Sequence, residues 1–168
     1  MRRMIMAVAA LAVVAGACGA ATEEIAEQLA EQGGITDVEI DDDQVSFNVE
    51  TDEGEVSAVI GGGDVPADFP APVPDGGNVT FSASQSGSDN SSMLALEYPE
   101  DQFDSLVSTY ENWLADEGFE VQRTETTSED VRSVLLFGTR SGTPSNAFIN
   151  IAEDGSGNAL VNIQLGDG

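Results

Sequence analysis

Apolar residues change their spacing several times along the chain, and each change predicts an element. Ile25 and Leu29, four apart with Ala26 and Ala30 beside them, predict a short helix over 22–32 that starts at Thr22 and Glu24 and stops at Gly33. Three alternating runs follow, carrying Val38 and Ile40, then Val45, Phe47 and Val49, then Val56, Ala58 and Ile60. A period of two reads as strands buried on one side, and Asp41-Asp42-Asp43 and Asp52-Glu53-Gly54 supply the hairpin turns between them. From 61 to 77 the pattern lapses into three consecutive glycines and the prolines 66, 70, 72 and 74. That composition gives an extended, fairly stiff segment, the best domain boundary in the chain.

Beyond it, Val79 to Ala83 and then Leu94, Leu96 and Tyr98 predict two strands turning through Gly87 to Asn90. The strongest signal comes next: Phe103, Leu106, Val107, Tyr110 and Leu114 recur at three and four, the spacing of a helix with one apolar face. Asp101 is placed to cap it and Asp104 to complete a capping box, while Gly118 ends it and Phe119 closes back on the last turn. Strands are then predicted over 119–125, 131–137, 147–151 and 159–165, with Gly155-Ser156-Gly157 turning the last pair. Val134-Leu135-Leu136-Phe137 is apolar in both phases, which predicts a central strand. The fold class expected is α+β: an antiparallel β-sheet with one long helix packed on one face, preceded by a small helix-plus-hairpin unit. The expected division is 1–17 signal peptide, 18–60 small helix and β-hairpin unit, 61–77 Gly/Pro-rich linker, and 78–168 main α+β domain.

The N-terminus adds a location. Arg2 and Arg3 precede an uncharged apolar run from Met4 to Ala15, and Ala15-Gly16-Ala17 supplies the small residues a signal peptidase accepts. The run is too short to span a bilayer, which takes roughly 20 apolar residues. Two cuts compete. Ala15-Gly16-Ala17 fits the ordinary site of a secreted protein, which would leave Cys18, the single cysteine, as a free thiol in an oxidising compartment. The same residues resemble the lipobox of bacterial lipoproteins, a small-residue triplet followed at once by a cysteine, with Ala15 standing where Leu or Val is usual. That resemblance implies cleavage before Cys18, a diacylglycerol thioether on its sulfur and acylation of its new amine. Two or three acyl chains anchor firmly, at about 0.8 kcal/mol per buried methylene.

Charge narrows the partners. The chain carries 31 Asp and Glu against five arginines, with no lysine or histidine; removing residues 1–17 takes two arginines and leaves a formal charge of −28. Such a surface repels phosphate backbones and anionic lipid, so nucleic acid is excluded as a partner. It also keeps a protein soluble, as in salt-adapted chains. Without histidine the commonest general base and transition-metal ligand are missing, so an enzyme here would have to work with carboxylates or hydroxyls.

The layout as a whole resembles a set of acidic bacterial lipoproteins of actinobacterial type. The residues that carry the likeness are the acidic hairpin Val38-Glu39-Ile40-Asp41-Asp42-Asp43-Gln44-Val45 and the segment Pro66-Ala67-Asp68-Phe69-Pro70-Ala71-Pro72-Val73-Pro74. A β-β-helix-β region follows, with Tyr110 in the helix and Phe119 after the glycine. The resemblance implies architecture and envelope location and brings no activity with it.

Three sets of residues invite chemistry. Asp41-Asp42-Asp43 with Glu39 offers oxygens to Ca²⁺ but lacks the spacing and distal Glu of an EF-hand loop. Glu97, Glu100, Asp101 and Asp104 crowd the entry of the long helix, where acids meet the helix dipole and where a two-carboxylate hydrolase would need its pair. Trp113, the sole tryptophan, falls at the margin of the helix stripe, as a core-edge residue or as an anchor for a protein partner. Gly61-Gly62-Gly63 has no phosphate-loop spacing. The expected function is a non-catalytic binding or cell-envelope interaction module, held to the membrane by lipid on Cys18, without cofactor. Envelope proteins and divalent cations are the partners left open. A Ca²⁺-responsive solute-binding lipoprotein and a carboxylate-based hydrolase of wall polymers are the alternatives.

Overall fold

Alternating apolar and polar residues build nine strands in the described part of the computed structural model, residues 35–41, 44–51, 54–87, 90–128, 131–142 and 144–167. All of these fall within one compact unit, Gly34–Gly168. The strands are β1 (Ile35–Asp41), β2 (Gln44–Thr51), β3 (Gly54–Ile60), β4 (Asn78–Gly87), β5 (Ser91–Pro99), β6 (Glu120–Ser128), β7 (Val131–Thr139), β8 (Asn146–Glu153) and β9 (Asn158–Gly166). Helix α1 (Phe103–Asp116) lies between β5 and β6 and is entered through a 3-10 turn, Glu100–Gln102.

The sheet order is β1-β2-β3-β4-β5-β9-β8-β7-β6, with every neighbouring pair antiparallel. The chain meanders from β1 to β5, leaves through α1, re-enters at the far edge as β6 and meanders back until β9 lies beside β5. Short connections and, between β3 and β4, the 61–77 segment make the two meanders, and α1 makes the jump between them.

Alpha1 packs against β6, β7 and β8, so it covers part of one face. Phe103, Leu106, Val107, Tyr110 and Leu114 point from it into the sheet and are all buried. They meet Val134, Leu136, Ile149, Ile151, Val161 and Ile163, each at most 1% exposed. Burying one such side chain contributes roughly 1.5–3 kcal/mol, and this cluster is where the fold gets most of its stability. The helix ends as the sequence predicts. Gly118 sits at φ +79°, its N–H donates to the Ala115 carbonyl (3.0 Å), and the Phe119 N–H donates to the Leu114 carbonyl (2.9 Å), a Schellman pair that turns Phe119 into the core.

The start of α1 differs from expectation. Gln102 is the N-cap residue, no side chain caps the helix, and Asp101 lies within the 3-10 turn. The Asp104 carboxylate, expected to reach back to a backbone N–H, instead meets the Arg132 guanidinium at 3.0 Å. A charged donor competes better for a carboxylate than a neutral N–H does.

Strand pairing and packing place residues 35–60 and 61–77. The predicted helix over 22–32 lies outside the described residues. Strands β1 to β3 continue the main sheet through the β3–β4 pairing, Ile60↔Phe81 to Gly54↔Gly87. The Gly/Pro segment therefore joins two neighbouring strands of one sheet. It straps the core as it does so: Ala71 is buried, and Val65, Phe69 and Val73 pack against the cluster. Tyr98 donates its hydroxyl proton to the Pro74 carbonyl (3.2 Å), and a Cβ on Gly77 would lie 2.5 Å from the Tyr98 ring. Beside it the Tyr110 hydroxyl is fully enclosed without a hydrogen-bond partner; burial first, and the neighbouring Tyr98 second, hold its pKa above the usual phenol range. Strand stiffness and proline fix the strap's path, while packing on Tyr98 decides where it lies.

The Gly77 contact gives a direct test. Gly77→Ala should force the Tyr98 ring aside and lower stability by about 1–3 kcal/mol, the usual cost of overpacking. Urea denaturation reads this; an unchanged midpoint would mean that the strap yields instead of the ring.

Candidate functional site

The two faces of the sheet carry different chemistry. On the face under α1, every arginine of the described residues is spent on the helix. Arg123 of β6 meets Glu111 (3.1 Å) and Glu125 (2.8 Å), Arg132 of β7 meets Asp104, and Arg140 after β7 meets the Glu117 carboxylate (2.9 Å) and carbonyl (2.7 Å). Two of them also stack: the Arg132 guanidinium lies 4.3 Å from the Phe103 ring centroid and that of Arg140 lies 4.4 Å from the Phe119 ring. The helix is thus held at its first turn, its middle and its C-terminal end, where a cation also complements the dipole.

Arg132 has the deepest partner. Glu153, 6% exposed at the end of β8, accepts from the Arg132 backbone N–H and from its Nε, both at 2.8 Å. The bonds to Glu153 first, and to Asp104 second, hold the guanidinium pKa above its ordinary value. A buried carboxylate is tolerated here because a cation and a backbone donor satisfy it.

The acids singled out at the helix entry do not converge. Glu100, Asp101, Asp104 and Arg132 border a shallow depression open to solvent, with the Asp104 side chain 84% exposed. Glu97 alternates with the buried Leu96 and Tyr98 along β5 and so faces the opposite side of the sheet. Of the acidic hairpin, Glu39 lies exposed in β1, and Asp42 and Asp43 fall outside the described residues, as does Cys18. Among the described residues no group of three or more Cys, Asp or Glu is placed to hold a metal ion. Trp113 finishes the core edge, partly buried, its ring 6.0 Å from that of Phe119.

The run Val134–Phe137 brings a correction with a consequence. Strand β7 stands next to the edge strand β6 rather than at the centre of the sheet. Val134 and Leu136 face α1 and are fully buried, while Phe137 on the other phase is 37% exposed. Its apolar character on both sides therefore marks an open face rather than a doubly covered strand.

On β4 to β9 that open face can be traced strand by strand through the register, whereas on β3 and β2 the same face carries Ala58, Val45 and Phe47, which are buried. One row runs Ala83, Met93, Gln164, Phe148, Phe137, Gln122 across β4, β5, β9, β8, β7 and β6. The next runs Phe81, Ala95, Asn162, Asn150, Leu135, Thr124. Met93 is 36% exposed and Phe148 42%. Phe81, Met93 and Phe148 border a shallow depression of about 120 Å³ with Asn162 and Gln164 in its lining. On strands β4 to β9 the ionisable side chains of this face are Glu97 and Glu120, both at its margins. In a chain with 31 acids, that depletion sets the face apart.

Sequence patterning passed over these residues because it followed the buried phase of each strand. The signal was in the other phase: Asn146, Phe148, Asn150 on β8 and Leu160, Asn162, Gln164 on β9 contain no acid. Compared with protein-family models, with curated proteins and with solved structures, the chain matches none.

Unequal burial of the arginine partners predicts unequal mutational effects. Arg132→Gln strands the buried Glu153 and should lower the urea midpoint clearly, whereas Arg123→Gln breaks pairs that are 32% and 47% exposed and should barely move it. Equal midpoints for the two variants would show that Glu153 finds another partner.

Proposed function

We propose that the protein is a lipid-anchored extracytoplasmic binding module that acts without catalysis, held at the membrane through Cys18 and recognising its partner with the open sheet face. The single observation that carries the reading is the exposed, uncharged Phe and amide surface of β4, β5, β9, β8 and β7 in an otherwise densely acidic chain. Interface cores are depleted of charge and enriched in aromatic residues and Met, which is the composition found there. Three further facts fit. No helix among the described residues is long and apolar enough to cross a membrane. The described arginines are engaged with α1, which leaves anionic ligands without a counter-charge. The face sits on strands backed by the buried core, so its side chains are presented with little ordering left to lose on binding.

Two measurements test this. The wild-type full chain should partition with membranes and the Cys18→Ala variant should appear in the soluble fraction; a variant that still sediments with membranes removes the lipid anchor from the proposal. The soluble Cys18→Ala chain should also co-sediment with membrane-free cell-envelope material, and Phe148→Glu should abolish that without lowering thermal stability. Failure to co-sediment would overturn the binding reading itself.

A further inference from the structure

The two edge strands of the sheet are built differently. Strand β1 closes one edge with Asp37, Glu39 and Asp41 and with a break in register between Ile35 and Asp37. Acids and bulges of that kind keep an edge from pairing with another chain. Strand β6 closes the other edge in unbroken register with β7 over all nine residues, without proline, and with every residue but Val121 exposed. Among the described residues β7 is its only strand neighbour, so the outward N–H and C=O groups of β6 form a straight, open template.

We propose that β6 pairs with β6 of a second copy, antiparallel and centred on Thr124, so that one sheet runs through a dimer. Side-chain order along the edge supports this pairing. A two-fold axis perpendicular to the sheet keeps α1 of both copies on one face, so each residue must meet one of its own phase, which only a register centred on a residue allows. Centring on Thr124 pairs the whole strand, Glu120–Ser128. It sets Arg123 against Glu125 of the second copy and Glu125 against the second copy's Arg123, with Thr124 opposite Thr124 and Gln122 opposite Thr126. Moving the centre by one residue sets Arg123 against Arg123 or Glu125 against Glu125, and like charges directly opposite are destabilising.

The side chains on the edge suit that register. Arg123 and Glu125 lie 2.8 Å apart on the α1 side and are 41% and 47% exposed. Opposite residues of paired strands have Cβ atoms about 4.5–5.5 Å apart, within reach of both. The Arg123 guanidinium bonds Glu111 and Glu125 of its own chain through Nη1 and Nη2, leaving Nε for a further carboxylate. An extended peptide of unrelated sequence would match the backbone of β6 but not the order of its charges; a second copy matches both. Against the contact stands the formal charge of −28 that each copy carries after residue 17. Salt relieves that repulsion, since the Debye length falls from about 10 Å at 0.1 M to about 3 Å at 1 M. The contact does not use the open sheet face, so it stands or falls apart from the binding reading.

Sedimentation velocity of the full Cys18→Ala chain over a concentration series, in about 0.1 M and about 1 M NaCl, tests the pairing. A monomer–dimer equilibrium that shifts toward dimer at the higher salt is expected. Arg123→Glu and Glu125→Arg each place like charges opposite one another twice in the dimer and should weaken association by about tenfold. The double variant restores opposite charges and should recover the wild-type dimer. Thermal midpoints check that each variant is folded, and Glu125→Arg leaves the Glu111 carboxylate facing Arg123. A chain that stays monomeric throughout overturns the proposal, as does a dimer that both single variants leave intact or that the double variant does not recover. A dimer lost on Phe148→Glu but kept in both single variants would assign the contact to the open face and overturn the proposal likewise.

Discussion

The docking of α1 on β6, β7 and β8 is the interaction on which everything else in this protein depends. It joins two meanders that share one sheet, and it gives β6 to β8 a covered face and an exposed one. Tyr110 and Leu114, both 0% exposed, sit at the centre of the contact, with arginines from β6, β7 and the residue after β7 holding its rim. In a chain so short of cations, placing Arg123, Arg132 and Arg140 all against one helix is a concentration of positive charge where the acids of α1 would otherwise repel Glu125 and Glu153 of the strands beneath. The apolar stripe supplies most of the stability, and the ion pairs and ring stacking fix where the helix lies.

On strands β5 to β7 the face opposite the core is exposed, and there the chain behaves in a way that solubility alone does not explain. A face kept soluble by charge would carry the acids that crowd the turns and the outer side of α1. Instead it presents Phe, Met, Asn and Gln, supported from behind by Leu94, Ile149, Val161 and Ile163. Rigid backing and neutral, half-exposed side chains are what a recognition surface needs, because little conformational freedom is lost when a ligand arrives. In the proposed binding role, the acids elsewhere would disfavour anionic ligands.

Much of the architecture was legible in the residues. The strands, the helix and its glycine stop follow from periods of two and of three-to-four, and from the one place where Gly118 must take a positive φ. Where expectation and structure part, long-range partners decide. Asp104 leaves the helix start because Arg132, 28 residues on, offers a charged donor. The Gly/Pro stretch reads as a linker from composition, yet becomes a strap because Tyr98 offers Pro74 a hydroxyl and Gly77 a flat ring to lie on.

The chain by itself determined which residues become strands and helix, the basic and apolar N-terminal run that precedes Cys18, and the excess of acid. These are local or additive properties, set by periodicity, by a contiguous segment and by a sum of charges. Only the tertiary structure decided that β1 to β3 extend the main sheet, that β7 lies next to an edge, and that Phe81, Met93, Phe148 and Phe137 share one uncharged surface. Those depend on strand order and register, which join residues far apart in sequence and which hydrophobic periodicity, being blind to pairing partners, does not encode.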